Sequence, residues 1–287
     1  MQTIPLSGAL GVEVRGLDLS TPPEHDLVAR LKQLWQTHHL LLFRALDWEP
    51  RQQIAFARAF GTLDTHEATP NYRLPNHPEL LNVTNKPDGD RPSGTRNTGR
   101  NWHSDYAYNV RPAGGSLLYC RERPPVGGDT MVCNMVRALE TLSPALQELL
   151  ERLWAVYDVN LVAGIAQRDA KDIADLQRLN PPIAHPAIRR HPGSGRRALF
   201  VSERVSHFEG LSTAESEPLI AFLCRHATRP ENVYRHRWQV GDLLCWDNRA
   251  TMHIALADFD PAAPRQMLRA TLQGEETGRL AHPGPAA

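Results

Sequence analysis

Apolar positions recur at helical spacing in only a few stretches of the chain and otherwise gather in runs of four or five. Between Pro22 and His38, Leu27, Leu31, Leu34 and Trp35 form one stripe, which predicts an amphipathic helix with Pro23 near its first turn. Pro50 to Phe60 repeats the pattern, with Ile54, Ala57 and Phe60 inward and Gly61 as a cap. Two more helices are predicted: Ser143 to Leu153, with Ser143 capping and Pro144 at the first position, and Thr213 to Arg225. The short apolar runs are strand-sized: Leu40 to Phe43, Ser116 to Cys120, Thr130 to Cys133, Ala198 to Val201 and Leu243 to Trp246. Gly and Pro clusters separate them, as in a jelly-roll-like barrel. Residues 65–100, rich in Pro, Asn, Gly and Asp, and the polar stretch 158–190 read as mobile loops of the functional kind. The pattern predicts a single α+β domain over residues 1–287, strands at the centre and helices outside.

Composition narrows the function classes. The chain has 287 residues, 41% of them hydrophobic, enough for one well-filled core. Its 32 basic and 32 acidic residues cancel, which argues against a nucleic-acid binder, since phosphate backbones demand a cationic face. No apolar run approaches the ~20 residues of a membrane span. Met1 to Pro5 lacks a basic segment followed by a long apolar one, so a cytoplasmic protein is expected. Cys120, Cys133, Cys224 and Cys245 include no closely spaced pair and read as reduced, buried thiols. Lys32, Lys86 and Lys171 are the only lysines, which leaves few candidates for covalent lysine chemistry.

The most informative segment is Asn101-Trp102-His103-Ser104-Asp105. On extended chain, residues two apart point to one side with Cα atoms roughly 6.5–7 Å apart, so an imidazole and a carboxylate can converge on one metal ion. A second histidine from elsewhere would complete a two-histidine, one-carboxylate face with open positions, the arrangement suited to non-haem Fe(II). His77-Pro78-Glu79 and His207-Phe208-Glu209 share the spacing, but Pro78 would disturb a strand and His207 precedes Gly210 at what reads as a helix entry. In Trp246-Asp247-Asn248-Arg249-Ala250-Thr251-Met252-His253, Asp247-Asn248 breaks a buried strand ahead of His253, which taken alone would more often be structural. Arg265 and Arg269 would share a strand face about 13 Å apart and bind two different anionic groups, or simply face solvent. Tyr106, Tyr108 and Met252 could line an apolar pocket or fill the core.

Together these segments resemble the taurine dioxygenase/2,4-dichlorophenoxyacetate dioxygenase (TauD/TfdA) family of Fe(II)- and 2-oxoglutarate-dependent oxygenases. The resemblance runs from Gly11-Val12-Glu13-Val14 to Arg269-Ala270-Thr271. Its specific parts are Trp102-His103-Ser104-Asp105, Gly127-Gly128-Asp129-Thr130, Trp246-Asp247-Asn248-Arg249 with His253, and Arg265 with Arg269. It implies a double-stranded β-helix (jelly roll) with flanking helices. It also implies His103, Asp105 and His253 as catalytic iron ligands, and Thr130 and Arg265 on the distal carboxylate of 2-oxoglutarate. Arg269 would sit nearer the iron, on the substrate's acidic group or the near carboxylate. The implied reactants are Fe(II), 2-oxoglutarate as cosubstrate, and O2, with succinate and CO2 as by-products of substrate hydroxylation. Asp105 argues against the related halogenases, where a small residue vacates that position.

Substrate recognition is less sharply written. In Thr65 to Tyr72, His66 and Asn71 are the candidates for the place where the taurine enzyme sets a histidine on the sulfonate; Tyr106 is a further substrate-side candidate. The stretch from His226 to Trp238 resembles the phenoxyacetate branch more. A small organic acid, sulfonate or aryloxy/alkyl carboxylate, is therefore expected, with an amino-acid-like or natural-product substrate as the alternative within the same chemistry. A non-catalytic or zinc-holding jelly-roll binding protein is the reading from another class. The expected partner is a small anionic molecule, not nucleic acid or membrane, and family relatives leave a homo-oligomer open.

Overall fold

The computed structural model describes all residues except 68, 88–94, 96, 164, 166–169 and 283–287. The strands are β1 (Gln2–Pro5), β2 (Val12–Arg15), β3 (Leu40–Phe43), β4 (Arg73–Leu74), β5 (His77–Thr84), β6 (Ala113–Glu122), β7 (Thr130–Asn134), β8 (Trp154–Tyr157) and β9 (Ile183–Pro186). They continue with β10 (Ile188–Arg190), β11 (Arg197–Leu199), β12 (Val205–Phe208), β13 (Val233–His236), β14 (Leu243–Asp247), β15 (Thr251–Ala255), β16 (Gln266–Gln273) and β17 (Arg279–Leu280). The helices are α1 (His25–His38), α2 (Pro50–Phe60), α3 (Met135–Glu140), α4 (Pro144–Leu150), α5 (Ala170–Leu179) and α6 (Thr213–Ala227). The largest sheet has the order β1-β2-β3-β14-β6-β16-β5-β4; a three-stranded sheet β13-β7-β15 and a four-stranded sheet β12-β8-β9-β17 accompany it. This is the jelly roll that the resemblance implied.

The apolar runs explain where the cavity lies. A strand covered on both faces reads as continuous hydrophobe, and alternate residues serve different layers. In β3, Leu41 and Phe43 pack with Leu31 and Trp35 of α1 and Ile54, Phe56 and Phe60 of α2. Leu40 and Leu42 point the other way, joining Leu118, Trp246, Met267, Val132 and Trp238. The second face is the one that meets the three-stranded sheet. Each fully buried leucine there contributes about 1.5–3 kcal/mol relative to exposure. Trp35 closes the helix side by donating its indole N–H to the Cys245 carbonyl at 3.1 Å. Its ring occupies the space a side chain on Gly115 would need.

Several elements differ from their predicted bounds for physical reasons. Pro22 and Pro23 precede the helix, whose N-cap is Glu24. Gly61 follows α2 with φ 168°, an extended rather than left-handed exit. α4 stops at Leu150, short of the predicted Leu153. The two stretches expected as loops contain regular structure, and their residues 88–94 and 166–169 lie outside the described residues. Residues 77–84 form β5, because β16 pairs only with Leu80 to Thr84 and Pro78 lies outside that ladder, where no N–H is required. Within 158–190 lie α5, β9 and β10. His207 sits on β12, not at a helix entry. The four cysteines are free and buried. Among the described residues no helix is long and apolar enough to cross a membrane.

Candidate active site

Ligand convergence depends on one antiparallel pair. His103 N donates to the His253 carbonyl at 3.0 Å and His253 N donates back to the His103 carbonyl at 2.8 Å. Directly opposed residues send side chains to the same face, and the two ring centroids stand 4.2 Å apart. Asp105 follows His103 by two residues as the chain enters a turn in which Tyr106 has φ 54°. One ligand atom from each of His103, Asp105 and His253 lies within 4.8 Å of the others. The two Nε2 atoms are each 3.8 Å from an Asp105 oxygen, too far for a hydrogen bond and close to the span of ligands about 2.1 Å from a common ion.

The protonation states suit metal binding. Carbonyl oxygens only accept, so His103 Nδ1 carries the proton it gives to Asn101 O at 2.7 Å, and Nε2 keeps its lone pair. Burial holds His103 well below the ordinary histidine pKa, with Arg204 and His253 adding to the effect. Burial likewise lowers His253 to about 4. His253 Nδ1 is buried without a partner, so among the described residues the ring makes no hydrogen bond. A cation at Nε2 would account for so poorly satisfied a buried imidazole. The donor set, two neutral imidazoles and one carboxylate, fits Fe(II).

Asp105 is held on every side. Ser116 Oγ donates to Oδ2 at 2.6 Å and Arg269 Nη1 to Oδ1 at 2.6 Å. Burial alone would raise its pKa, but Arg269, His253, His103 and the Ser116 hydroxyl together hold it below the usual carboxylate value. Asn248 explains its own motif. Its Oδ1 accepts from Asp105 N at 3.2 Å and from Trp246 Nε1 at 3.2 Å, and its Nδ2 donates to Ser116 at 3.0 Å. The break after β14 therefore ties the aspartate's main chain and its hydroxyl partner to one amide.

The Gly127-Gly128-Asp129-Thr130 segment builds the far end. Both glycines are left-handed, with φ 74° and 70°. Gly128 turns its carbonyl to accept from Arg265 Nε at 3.0 Å. Asp129 anchors the turn by accepting from Arg235 Nε at 2.7 Å. Thr130 Oγ1 accepts from Trp238 Nε1 at 3.1 Å, which leaves the hydroxyl proton free to be donated elsewhere. Arg265 is buried, pairs with no carboxylate among the described residues and lines the cavity. Its pKa falls to about 10, chiefly through burial. A buried cation beside a spare hydroxyl donor is a carboxylate cradle.

One cavity joins these groups, about 880 Å³ including its open mouth, and His103, Asp105, His253, Thr130, Arg265 and Arg269 all line it. Tyr106 lines it too, with the Arg269 guanidinium 5.7 Å from its ring centroid. His66 does not reach the cavity; it is buried behind Tyr106, its Nδ1 2.7 Å from the phenol oxygen. Burial, then Arg269, pushes its pKa down to about 3. Asn71 is a correction: it sits on the single helical turn Pro70–Tyr72 and is not a wall residue. Thr69 and Tyr72, on either side of it, line the cavity, whereas Asn71 is exposed. Unforeseen wall residues include Arg204, Val162, Leu81 and Val83. Leu81 and Val83 alternate on β5 and follow from the period of two once that strand is recognised; Arg204 carries no motif signal.

Comparison with known proteins agrees with this geometry. Residues 2–271 match the family described as "Taurine catabolism dioxygenase TauD, TfdA family". An alpha-ketoglutarate-dependent 2,4-dichlorophenoxyacetate dioxygenase of Cupriavidus pinatubonensis is 36% identical, over 93% of this chain and 96% of its own. An alpha-ketoglutarate-dependent sulfate ester dioxygenase of Pseudomonas putida is 33% identical, over 94% and 89%. Among solved structures, a taurine dioxygenase from Burkholderia xenovorans superposes with TM-score 0.79 at 31% identity, over 96% of this chain and 91% of that one. AAD-2 in complex with Mn(II) and N-oxalylglycine gives 0.80 at 28%, over 96% and 98%. The chain belongs to the TauD/TfdA family of dioxygenases, which work with Fe(II), 2-oxoglutarate and O2 on small molecules.

Proposed function

We propose that His103, Asp105 and His253 hold the iron, that Thr130 and Arg265 take the distal carboxylate of 2-oxoglutarate, and that a small organic acid is hydroxylated beside Arg269. The convergence of three ligand atoms in a cavity that also holds a buried arginine with no carboxylate partner among the described residues carries this reading. When bound, iron, cosubstrate and O2 supply the oxidising power for the C–H bond, with release of succinate and CO2. The chain supplies binding and orientation. Ser116, Arg269 and Asn248 keep Asp105 ionised and aimed. Asn101 fixes the His103 tautomer. Trp246, whose ring centroid is 4.4 Å from that of His253, and Leu118 dry the metal's surroundings.

Arg269 supports an anionic substrate, because Asp105 uses only its Nη1, its Nε is buried without a partner, and the residue lines the cavity. The aryl and sulfate-ester relatives favour an aryloxy or alkyl acid over an amino-acid-like or natural-product substrate. Four buried free thiols suit a reducing, cytoplasmic setting. The test is anaerobic: Fe(II) plus 2-oxoglutarate should give a visible charge-transfer band that His103→Ala lacks. A band that persists in the variant removes His103 from the ligand set. A succinate-release screen over sulfonates, aryloxy acids and amino acids then identifies the substrate class.

A further inference from the structure

Arg204 is the charged wall residue that this chemistry leaves unused. It immediately precedes β12, far in sequence from Arg269 on β16 and from Arg265 just before that strand, and is 5% exposed. Its Nε donates to Asn101 Oδ1 at 3.3 Å. Among the described residues no carboxylate pairs with it. The adjacent Glu203 is turned away and accepts from Trp102 N at 2.9 Å. Asp105 acts on Arg204 only from a distance and is already held by Arg269, and a buried guanidinium with no contacting carboxylate is costly unless an anion arrives to meet it. Arg204 lines the same cavity as the three candidate metal ligands.

Charge balance points the same way. With neutral histidines, the charged wall groups among the described residues are Arg204, Arg265 and Arg269 against Asp105, an excess of two positive charges. A dicationic metal and a dianionic cosubstrate cancel each other, so the excess survives their binding. Arg265 belongs to the cosubstrate end. Arg269 and Arg204 remain for the substrate, with Tyr106, Tyr108, Leu81, Val83 and Val162 as the apolar wall.

Resting on the dioxygenase site assigned above, we infer that Arg204 is a specificity residue that binds a second acidic group. The substrate is then a small dianion, either a dicarboxylate or a carboxylic acid bearing a sulfate or phosphonate. Arg269 would hold one end and Arg204 the other, with a short carbon skeleton between them.

The experiment compares matched pairs on the Fe(II)-loaded enzyme with 2-oxoglutarate: adipate against hexanoate, and 4-carboxyphenoxyacetate against phenoxyacetate. Succinate release gives kcat/KM, and the anaerobic shift of the charge-transfer band gives Kd. The diacid of at least one pair should be favoured about tenfold or more. Arg204→Gln should weaken that diacid by about 30-fold while moving the monoacid by less than about threefold, and Arg204→Lys should recover part of the loss. Should Arg204→Gln lose the band itself, the comparison is read from Arg204→Lys, whose diacid preference should then be reduced. Equal use of both members of each pair by the wild type overturns the inference. So does an equal loss on both in the variant, or weaker cosubstrate binding in place of weaker diacid binding. Absence of any band in the wild type sinks the iron-site reading, a separate failure.

Discussion

Arg265 and Arg269 stand four residues apart, line the same cavity, and are embedded differently. Arg265 is braced by the turn before β7 and the end of β5: its Nε meets the Gly128 carbonyl, its own N–H meets Asn85 Oδ1 at 2.8 Å, and Thr84 Oγ1 donates to its carbonyl at 3.0 Å. Arg269 is braced by side chains, with Asp105 on one side and the Tyr106 ring on the other. The first arginine therefore sits in a socket built largely by the β7 turn and the end of β5. The second sits among groups carried by the 104–108 turn, backed by His66 from another loop. The proposed cosubstrate end, built from the turn before β7 and the end of β5, can stay constant while the end carried by the 104–108 turn changes its acid. The relatives fit that division, since they share a cosubstrate and differ in substrate.

The largest effect should come where both ends depend on one group. Asp105→Ala removes the acidic ligand and leaves Arg269 without its partner. We expect turnover to fall by on the order of 1000-fold or more, with loss of the charge-transfer band. Metal content after dialysis checks the cause: iron retained at wild-type stoichiometry would mean that Asp105 is not a ligand.

Arg265→Gln should separate the ends. It removes a buried charge-assisted contact worth about 2–3 kcal/mol, so the KM for 2-oxoglutarate should rise on the order of 100-fold. The Kd of the acid substrate, read at saturating 2-oxoglutarate, should stay within about twofold. Thr130→Val should do the same on a smaller scale, about tenfold, because it deletes one hydroxyl donor. It also leaves the Trp238 indole N–H without its acceptor. If either change moves both constants together, the two arginines belong to one coupled unit and the two ends of the site are not independent.

The same contrast governs what can be read from the amino acids. A period of two leaves a trace: the Leu40–Phe43 run forms β3, and His103, Asp105, Arg265 and Arg269 all line the cavity, although Asp105 lies in a turn and Arg265 just before β16. β5 is hidden because Pro78 argues against a strand until the ladder is known to begin at Leu80. Loop-borne features leave no period. Asn71 and Thr69 are both small polar residues beside a proline, and only the turn decides which faces inward. Arg204 is one arginine among many, and its burial without a counter-charge exists only in three dimensions. Asn248 is 132 positions from Ser116 and 143 from Asp105, its two hydrogen-bonded partners, beyond any local pattern.

The smallest and most discriminating change is Tyr106→Phe. The phenol is kept neutral, since burial raises its pKa, and its oxygen lies 2.7 Å from His66 Nδ1. Deleting that oxygen leaves a buried imidazole nitrogen with only Asp64 Oδ1, at 3.3 Å, to turn to. A cost of about 1 kcal/mol follows, and Tm should drop by roughly 2–4 °C. The ring itself remains beside Arg269, so the apolar wall persists and the guanidinium loses orientation rather than charge. Substrate KM should therefore rise only about two- to fivefold, while the KM for 2-oxoglutarate and the charge-transfer band stay as in the wild type. His66→Ala should reproduce the substrate effect without touching the cavity wall, because it frees the same phenol from behind. Agreement between the two variants would place the adjustable part of the site in the loops that carry them. A shift in 2-oxoglutarate affinity would instead mean that the strain travels through Arg269 along β16 to Arg265, and that the ladder transmits what the loops change.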